Sequence, residues 1–355
     1  MIITLGIETS CDETALCLLE TRTQEGSFEY RILGNIINSQ IELHKQYGGV
    51  FPILAKREHI KNLPILFEQI KKDSGISESV ISQIAFTQGP GLEPALWTGI
   101  DFARELSARL SIPLIPVNHM EGHIVSTLLE TSTPRTDFKK LKPLAFPALA
   151  VLISGGHTEI VAIEKLGSYK ILGRTKDDAI GEAFDKVARM LGLHYPGGPE
   201  ISRTAAIART ENIPKTITLP RPMIHSNDSD MSFSGLKTSV LYLIKEKGEV
   251  STILKKEIAR EFEDAVTEVL ITKTRKALEE NEYGTLVIGG GVIANSYIRM
   301  AFERLASEFC LPLYLPATDL TGDNALMIAL AGTLSQKKNS LGISARGNLS
   351  LEDIL

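Results

Sequence analysis

Two stretches of similar pattern decide the fold of this chain: residues 7–20, IETSCDETALCLLE, and residues 151–164, VLISGGHTEIVAIE. Aligning the first with the second pairs three identical residues: Ser10 with Ser154, Thr14 with Thr158 and Glu20 with Glu164. Each stretch has an apolar run, a polar turn and a second apolar run, which is typical of a β-hairpin. This internal repeat predicts two similar lobes, each opened by a hairpin, that face one another across a cleft.

The rest of the chain alternates short β-branched runs with longer amphipathic patterns, which is typical of an α/β protein. The predicted strands are at about residues 2–8, 14–20, 29–37, 83–88, 148–154, 158–164, 285–289 and 311–315. The predicted helices are at about residues 49–72, 94–110, 178–191, 233–247, 252–281, 295–309 and 322–335. A chain of 355 residues is longer than one hydrophobic core usually supports, so we expect two domains.

We expect an N-terminal lobe at residues 1–117 and a C-terminal lobe with a helical insertion at residues 118–324. A C-terminal helix at residues 325–355 is expected to pack back on the first lobe.

Composition excludes some classes of protein. The chain has a net charge of -5 and therefore lacks the excess of basic residues that is typical of nucleic-acid-binding proteins. Any RNA contact needs a local basic patch or a partner. Three cysteines, at positions 11, 17 and 310, have no metal-ligand spacing and fit a reducing compartment. The longest apolar stretch, residues 144–153, is interrupted by proline and too short to span a bilayer. We therefore expect a cytoplasmic protein without a membrane segment.

The stretch Asn118-His119-Met120-Glu121-Gly122-His123 contains two histidines four residues apart. On a helix their imidazoles project from one face and can hold a single divalent cation. Zinc hydrolases of the His-Glu-x-x-His type place their base directly after the first histidine, but here that residue is Met120, and Glu121 lies about 200° round the helix. The best distant candidate for a third ligand is Asp323, for which the alternative is an acid at the start of a helix.

Two small-residue turns, Ser154–Thr158 and Gly289–Gly291, allow main-chain N–H groups to approach an anionic ligand. An ordinary hairpin turn is the alternative for the first of them. The turn after the first strand carries three carboxylates, Glu8, Asp12 and Glu13. Glu13, at the exit of this turn, is the candidate for a base or for a residue that positions an attacking group.

Ten blocks of sequence together resemble one family, the tRNA threonylcarbamoyladenosine transferases of the TsaD (formerly Gcp) group, of bacterial or organellar type. The blocks are Gly6–Thr14, Tyr47–Val50 with Pro52 and His59, Thr87–Leu92, Asn118–His123, Ser154–Thr158, Gly181–Lys186, Tyr195–Pro199, Phe233–Lys237, Gly289–Asn295 and Gly322–Asn324. The resemblance implies a two-lobed, actin-like (ASKHA, ribonuclease-H-like) fold with an interlobe cleft. It also implies transfer of threonylcarbamoyl from threonylcarbamoyl-AMP to the exocyclic amine of adenosine 37 in tRNAs that read ANN codons, with release of AMP.

By motif position, the resemblance implies that His119, His123 and Asp323 hold an iron (Fe²⁺) or zinc (Zn²⁺) ion. It assigns substrate binding to a larger set, Leu152, Ile153, Ser154, Gly155, Gly156, Asp185, Gly198 and Asn295. Several relatives have an acid four residues after Gly198, where this chain has Ser202. The resemblance further implies a paralogous TsaB-like dimer partner and a small TsaE-like ATPase, through which ATP can enter the cycle.

The chemistry of the substrate agrees with a metal site. A carbamoyl phosphate anhydride already has a good leaving group, so the catalyst must mainly orient the carbonyl and stabilise the developing oxyanion, which a Lewis acid does. Two alternatives are an ATP-dependent small-molecule kinase of actin-like fold and a non-catalytic nucleotide-binding subunit. The kinase would need an acidic base facing a γ-phosphate, and the non-catalytic subunit would tolerate loss of the histidine pair.

Overall fold

The computed structural model describes residues 1–335 and 343–353, which form two mixed β-sheets with helices packed on them. The strands are β1 (Ile2–Glu8), β2 (Glu13–Gln24), β3 (Ser27–Ser39), β4 (Gln83–Gly89), β5 (Leu114–Asn118), β6 (Lys139–Lys140), β7 (Ala148–Ile153), β8 (Thr158–Lys165), β9 (Ser168–Arg174), β10 (Thr285–Gly289) and β11 (Leu313–Tyr314). The helices are α1 (Ile41–His44), α2 (Pro52–Ser74), α3 (Glu93–Leu110), α4 (His119–Ser126), α5 (Ile180–Met190), α6 (Gly197–Thr210), α7 (Ser234–Lys247), α8 (Thr252–Glu280), α9 (Ser296–Glu308) and α10 (Ala325–Leu334).

The two sheets repeat one topology. Their strand orders are β5-β4-β1-β2-β3-β6 and β11-β10-β7-β8-β9. In each sheet three consecutive strands form an antiparallel meander, the next strand pairs in parallel with the first of them, and the strand after that continues in parallel. The internal repeat is therefore real, and it is larger than the predicted hairpin because each copy contains a third antiparallel strand.

Strand β9 and helix α6 are among the elements that the sequence patterns did not predict, and each was missed for a physical reason. Strand β9, SYKILGR, is half-exposed along most of its length, so its apolar alternation is weak. Helix α6 begins inside Gly197-Gly198-Pro199, which predicted only a bend. Proline is tolerated in the first turn of a helix because the N–H group it lacks has no partner there.

Helix α10, ALMIALAGTL, is apolar on all sides and packs against strands β2, β4 and β5 of the first sheet. Its close approach depends on glycines: a Cβ atom added to Gly6 would lie 2.2 Å from the Ala325 carbonyl oxygen, and one added to Gly332 would lie 2.4 Å from the Ala85 Cβ. Residues 336–342 and 354–355 of the predicted C-terminal helix lie outside the described residues.

The predicted lobe boundary at residue 117 remains a prediction. Strand β6 lies beyond that boundary and pairs with β3, so the first sheet receives a strand from the later part of the chain. The second sheet is covered by α5 and α8 through a separate core that includes Phe184, Phe262 and Val266. None of the described helices combines the length and apolar character needed to cross a membrane.

Replacing Gly332 by alanine is expected to lower the free energy of unfolding by about 1–3 kcal/mol, because the new methyl group would overlap Ala85. Gly235→Ala in α7 is the matched control, since the atom nearest to its added Cβ is 3.6 Å away. The control should be neutral or more stable by up to about 1 kcal/mol. Chemical denaturation measures both variants, and equal midpoints for Gly332→Ala and the parent would contradict the packing described for α10.

Candidate metal and nucleotide site

The two histidines are carried by α4, which begins directly after strand β5. Asn118 ends the strand and caps the helix: its Oδ1 accepts the N–H groups of Met120 at 2.9 Å and Glu121 at 3.4 Å. One helical turn then brings His119 and His123 to the same face, with ring centroids 4.7 Å apart. The helix predicted from the histidine spacing is therefore present.

Asp323 lies against both imidazoles. Its Oδ1 is 3.3 Å from His119 Nε2 and 3.2 Å from His123 Nε2. The capping role at the start of α10 belongs to its neighbour Asn324, whose side chain accepts the N–H group of Met327 at 3.0 Å. Of the two alternatives for Asp323, the geometry favours the ligand over the helix-terminal acid.

The donor set fits a divalent metal ion. His119, His123 and Asp323 each offer one ligand atom, and these atoms all lie within 4.8 Å of one another. His123 is fully buried, and apart from the 3.2 Å approach of Asp323 to its Nε2, its ring nitrogens have no hydrogen-bond partner among the described residues. A bound ion would satisfy the Nε2 atom, and two imidazole nitrogens with one carboxylate suit zinc or ferrous iron.

The electrostatics of the cluster favour positive charge at its centre. Burial alone would lower the pKa of His119, but the carboxylates of Asp323 and Glu8 raise it well above its usual value. Burial alone would raise the pKa of Asp323, but His119 and His123 hold it well below its usual range. A proton or a metal cation is therefore stabilised between these side chains.

Glu8, which the sequence placed among three acids of the first turn, orients His119. It is fully buried; its Oε2 lies 3.0 Å from His119 Nδ1 and accepts the Thr87 hydroxyl at 2.6 Å, while its Oε1 accepts the Ser10 N–H group. Burial raises the pKa of Glu8, but the interaction with His119 outweighs burial. The net shift of this pKa is downward, so the carboxylate is ionised. An ionised carboxylate only accepts, so Nδ1 carries the hydrogen and Nε2 is left as the ligand atom.

Four of the residues assigned to substrate binding, Gly155, Asp185, Gly198 and Asn295, line one cavity of about 530 Å³, which Ser202 also lines. The cavity is within the size range of small-molecule and cofactor sites. It lies beside α5, α6 and the single-turn segment Gly291–Ala294.

Asp185 lies on α5 at the edge of this cavity. It is half-buried and lines the cavity, and its Oδ1 accepts the Gly197 N–H group at 2.7 Å. Burial raises its pKa. Beside it, a Cβ atom added to Gly198 would meet nothing within 4 Å, so the main chain there is open to a ligand.

The turn between β7 and β8 is held by hydrogen bonds at its ends. The Ser154 N–H group donates to the His157 carbonyl at 2.8 Å, and the His157 N–H group donates to Ser154 Oγ at 3.1 Å. Among the described residues, no acceptor bonds the N–H groups of Gly155 and Gly156, and added Cβ atoms there would meet nothing within 4 Å. This turn can therefore present main-chain N–H groups to an anion.

The same turn connects the cavity with the histidine cluster. Gly155 lines the cavity, and His157 lies close enough to the cluster that burial, together with the charges of His119 and His123, lowers its pKa to about 4. Leu152 and Ile153, which precede the turn, are fully buried in two hydrophobic cores, so only their main chains are available to a substrate.

Glu13, the candidate base, begins strand β2 and accepts the Ser39 hydroxyl at 3.2 Å. Burial, followed by the nearby carboxylates of Asp12 and Asp323, raises its pKa to about 10. These surroundings favour the protonated form of Glu13. Of the two roles left open by the sequence, this state favours positioning by hydrogen-bond donation over proton abstraction.

The structural comparisons define the class of fold. HypF from T. kodakarensis has a TM-score of 0.57 and 14% sequence identity, and the match covers 93% of this chain and 47% of that chain. Full-length HypF in the phosphate- and nucleotide-bound form has a TM-score of 0.55 and 14% identity, and the match covers 95% of this chain and 47% of that chain. The predicted actin-like (ASKHA) fold is confirmed.

Sequence comparisons identify the family within this fold. The family model described as TsaD, tRNA N6-adenosine threonylcarbamoyltransferase, matches residues 31–330. Relatives with that description include those of Polynucleobacter asymbioticus, 43% identical over 99% of this chain and 97% of the relative, and of Thermosipho melanesiensis, 43% identical over 99% of this chain and 100% of the relative. The chain belongs to this family of transferases.

Replacing Glu8 by glutamine is expected to weaken metal binding by roughly tenfold to a hundredfold, because His119 would lose the carboxylate that fixes its tautomer. The measurement is the dissociation constant for Zn²⁺ by competition with a chelator. Glu20→Gln is the matched control: this buried acid of the same sheet pairs with Arg31 rather than with a histidine. Equal metal affinity for Glu8→Gln and the parent would contradict the orienting role of Glu8.

Proposed function

We propose that this chain transfers the threonylcarbamoyl group from threonylcarbamoyl-AMP to the exocyclic amine of adenosine 37 in tRNAs that read ANN codons, and releases AMP. One observation carries the proposal: His119, His123 and Asp323 converge in a chain of this family, next to a turn that also lines a nucleotide-sized cavity. A divalent ion held by the three side chains would supply a Lewis acid that polarises the carbamoyl carbonyl.

The side chains around that centre have separate tasks in the proposal. The free N–H groups of Gly155 and Gly156 would bind the phosphate or the threonyl carboxylate without a mobile charge. Asp185 and the main chain at Gly198 would hold the ribose, and Asn295 the adenine, since all three line the same cavity. Positioning should supply much of the rate, because the attacking arylamine is a weak nucleophile.

The partners in the proposal are tRNA, a TsaB-like subunit and a TsaE-like ATPase through which ATP enters the cycle. A chain with a net charge of -5 is suited to a subunit that binds tRNA with the help of others. We also propose a cytoplasmic location, in keeping with free Cys11, Cys17 and Cys310. The kinase alternative is disfavoured because two imidazoles and a carboxylate converge as a transition-metal donor set, which a kinase does not need. The non-catalytic alternative gives no reason for the buried histidine pair.

His123→Ala, assayed in the purified assembly with its partner subunits, is expected to lower the rate of tRNA modification by about a hundredfold or more, because the ion would lose a ligand. Quantification of threonylcarbamoyladenosine in digested tRNA measures the rate. His225→Ala, at an exposed histidine outside the site, is the control and should keep the parental rate. Modification at the parental rate by His123→Ala would remove the metal from the mechanism.

Gly198→Ala is expected to weaken AMP binding by roughly tenfold while leaving the protein as stable as the parent, because its methyl group would project into the cavity and not into the protein. Gly235→Ala, at the same second position of another helix, should bind AMP as the parent does. Calorimetric titration gives both affinities. Unchanged AMP binding by Gly198→Ala would show that the nucleotide does not occupy this cavity.

A further inference from the structure

The side chain of Asn295 has almost all of its hydrogen-bonding capacity committed to the protein. It caps α9, where Oδ1 accepts the N–H groups of Tyr297 at 2.9 Å and Ile298 at 3.1 Å. Because both of those partners are donors, the atom that faces them must be the oxygen. The amide nitrogen faces the other way and donates to Glu263 Oε1 at 2.6 Å.

One N–H hydrogen of the Asn295 amide is left without a partner among the described residues, on a side chain that lines the cavity. Both lone pairs of the oxygen are used by the helix cap. Asn295 can therefore offer a ligand a donor, and it has no acceptor to offer unless the cap is broken.

Glu263 fixes the orientation of the Asn295 amide group. It is a fully buried acid of α8, and its two oxygens have different donors: Oε1 accepts the Asn295 amide, and Oε2 accepts Nη1 of Arg209. The Ser202 hydroxyl is a further donor to this carboxylate. The guanidinium of Arg209 is itself fixed, since it lies 3.7 Å from the centre of the Tyr297 ring and bonds Asp264 at 2.5 Å. A carboxylate that is bonded at both oxygens keeps its orientation and that of Asn295.

We infer that Glu263 is a positioning residue that fixes Asn295 as a hydrogen-bond donor toward the nucleobase, so that the base is recognised through a ring-nitrogen acceptor and not through its exocyclic amine. The inference rests on the proposed function, because it takes an adenine nucleotide as the occupant of the cavity. Adenine has such acceptors at its ring nitrogens, whereas its amino group donates.

The substitution Glu263→Gln separates this role from simple packing. Glutamine has nearly the same shape but offers one oxygen to two donors, Asn295 and Arg209. The charged guanidinium forms the stronger bond, so the new NH₂ group would face the NH₂ group of Asn295 and release it from its fixed orientation. Asp264→Asn is the matched control, because it removes a charge from the same Arg209 and leaves the bond between Asn295 and Glu263 in place.

The experiment is calorimetric titration of the purified full chain with AMP and with its 1-deaza, 3-deaza and 7-deaza analogues, each of which replaces one ring nitrogen by carbon. For the parent, one of the three analogues should bind roughly five- to tenfold more weakly than AMP. The difference in affinity between AMP and that analogue should fall below about twofold in Glu263→Gln and persist in Asp264→Asn. Asn295→Ser, which keeps a capping oxygen but has no amide donor, should also lose the discrimination, and it tests the inference if Glu263→Gln does not fold.

Three results would overturn the inference. Discrimination equal to that of the parent in Glu263→Gln would mean that Glu263 does not position the donor, and the same result in Asn295→Ser would mean that Asn295 is not the donor. Equal binding of AMP and all three analogues by the parent would mean that no ring nitrogen is read. Failure of the parent to bind AMP at all would refute the proposed occupant of the cavity, and this result is distinguishable from the other two because they require AMP binding.

Discussion

A largely buried cluster of two carboxylates and two imidazoles, centred on the half-buried Asp323, determines how the parts of this molecule fit together. The Asp323 Oδ1 atom lies 3.3 Å from His119 and 3.2 Å from His123, and Glu8 supports His119 from the opposite side. Buried carboxylates are costly unless positive charge or hydrogen bonds compensate them. The cluster therefore requires a proton or a cation. Its members come from β1, α4 and the segment before α10, so a cation held there would also stabilise the packing of these elements.

The repeated topology puts two equivalent turns to different uses. In the first copy, the turn after β1 contributes Ser10, which bonds both Glu8 and His119, so this copy supports the candidate metal ligands. In the second copy, the turn after β7 contributes Gly155 and Gly156, whose N–H groups are free to bind an anion. Because the two turns make different contacts, their residues differ although the strand patterns of the two copies agree. The candidate metal ligands and the turn with free N–H groups lie beside each other, and that turn contains no acidic or basic side chain other than His157.

Local patterns in the sequence were enough to predict the two hairpins, most helices and the i, i+4 histidine pair, because each of these depends on residues near one another in the chain. The position of Asp323 could not be predicted this way, since it depends on how closely α10 packs on the first sheet, which small residues such as Gly6 permit. The ligand assignment came instead from the family resemblance. The roles of Glu8 and Glu263 were missed because a buried acid is recognised only from the donors that surround it.

One divalent ion is expected to bind between α4 and the start of α10. The decisive experiment is anomalous X-ray diffraction from crystals of the full chain loaded with Fe²⁺ or Zn²⁺, collected at the absorption edge of the metal. One strong anomalous peak should lie about 2.0–2.2 Å from Nε2 of His119, Nε2 of His123 and a carboxylate oxygen of Asp323. A peak that lies elsewhere, or a loaded crystal in which these three side chains surround no metal, would contradict it.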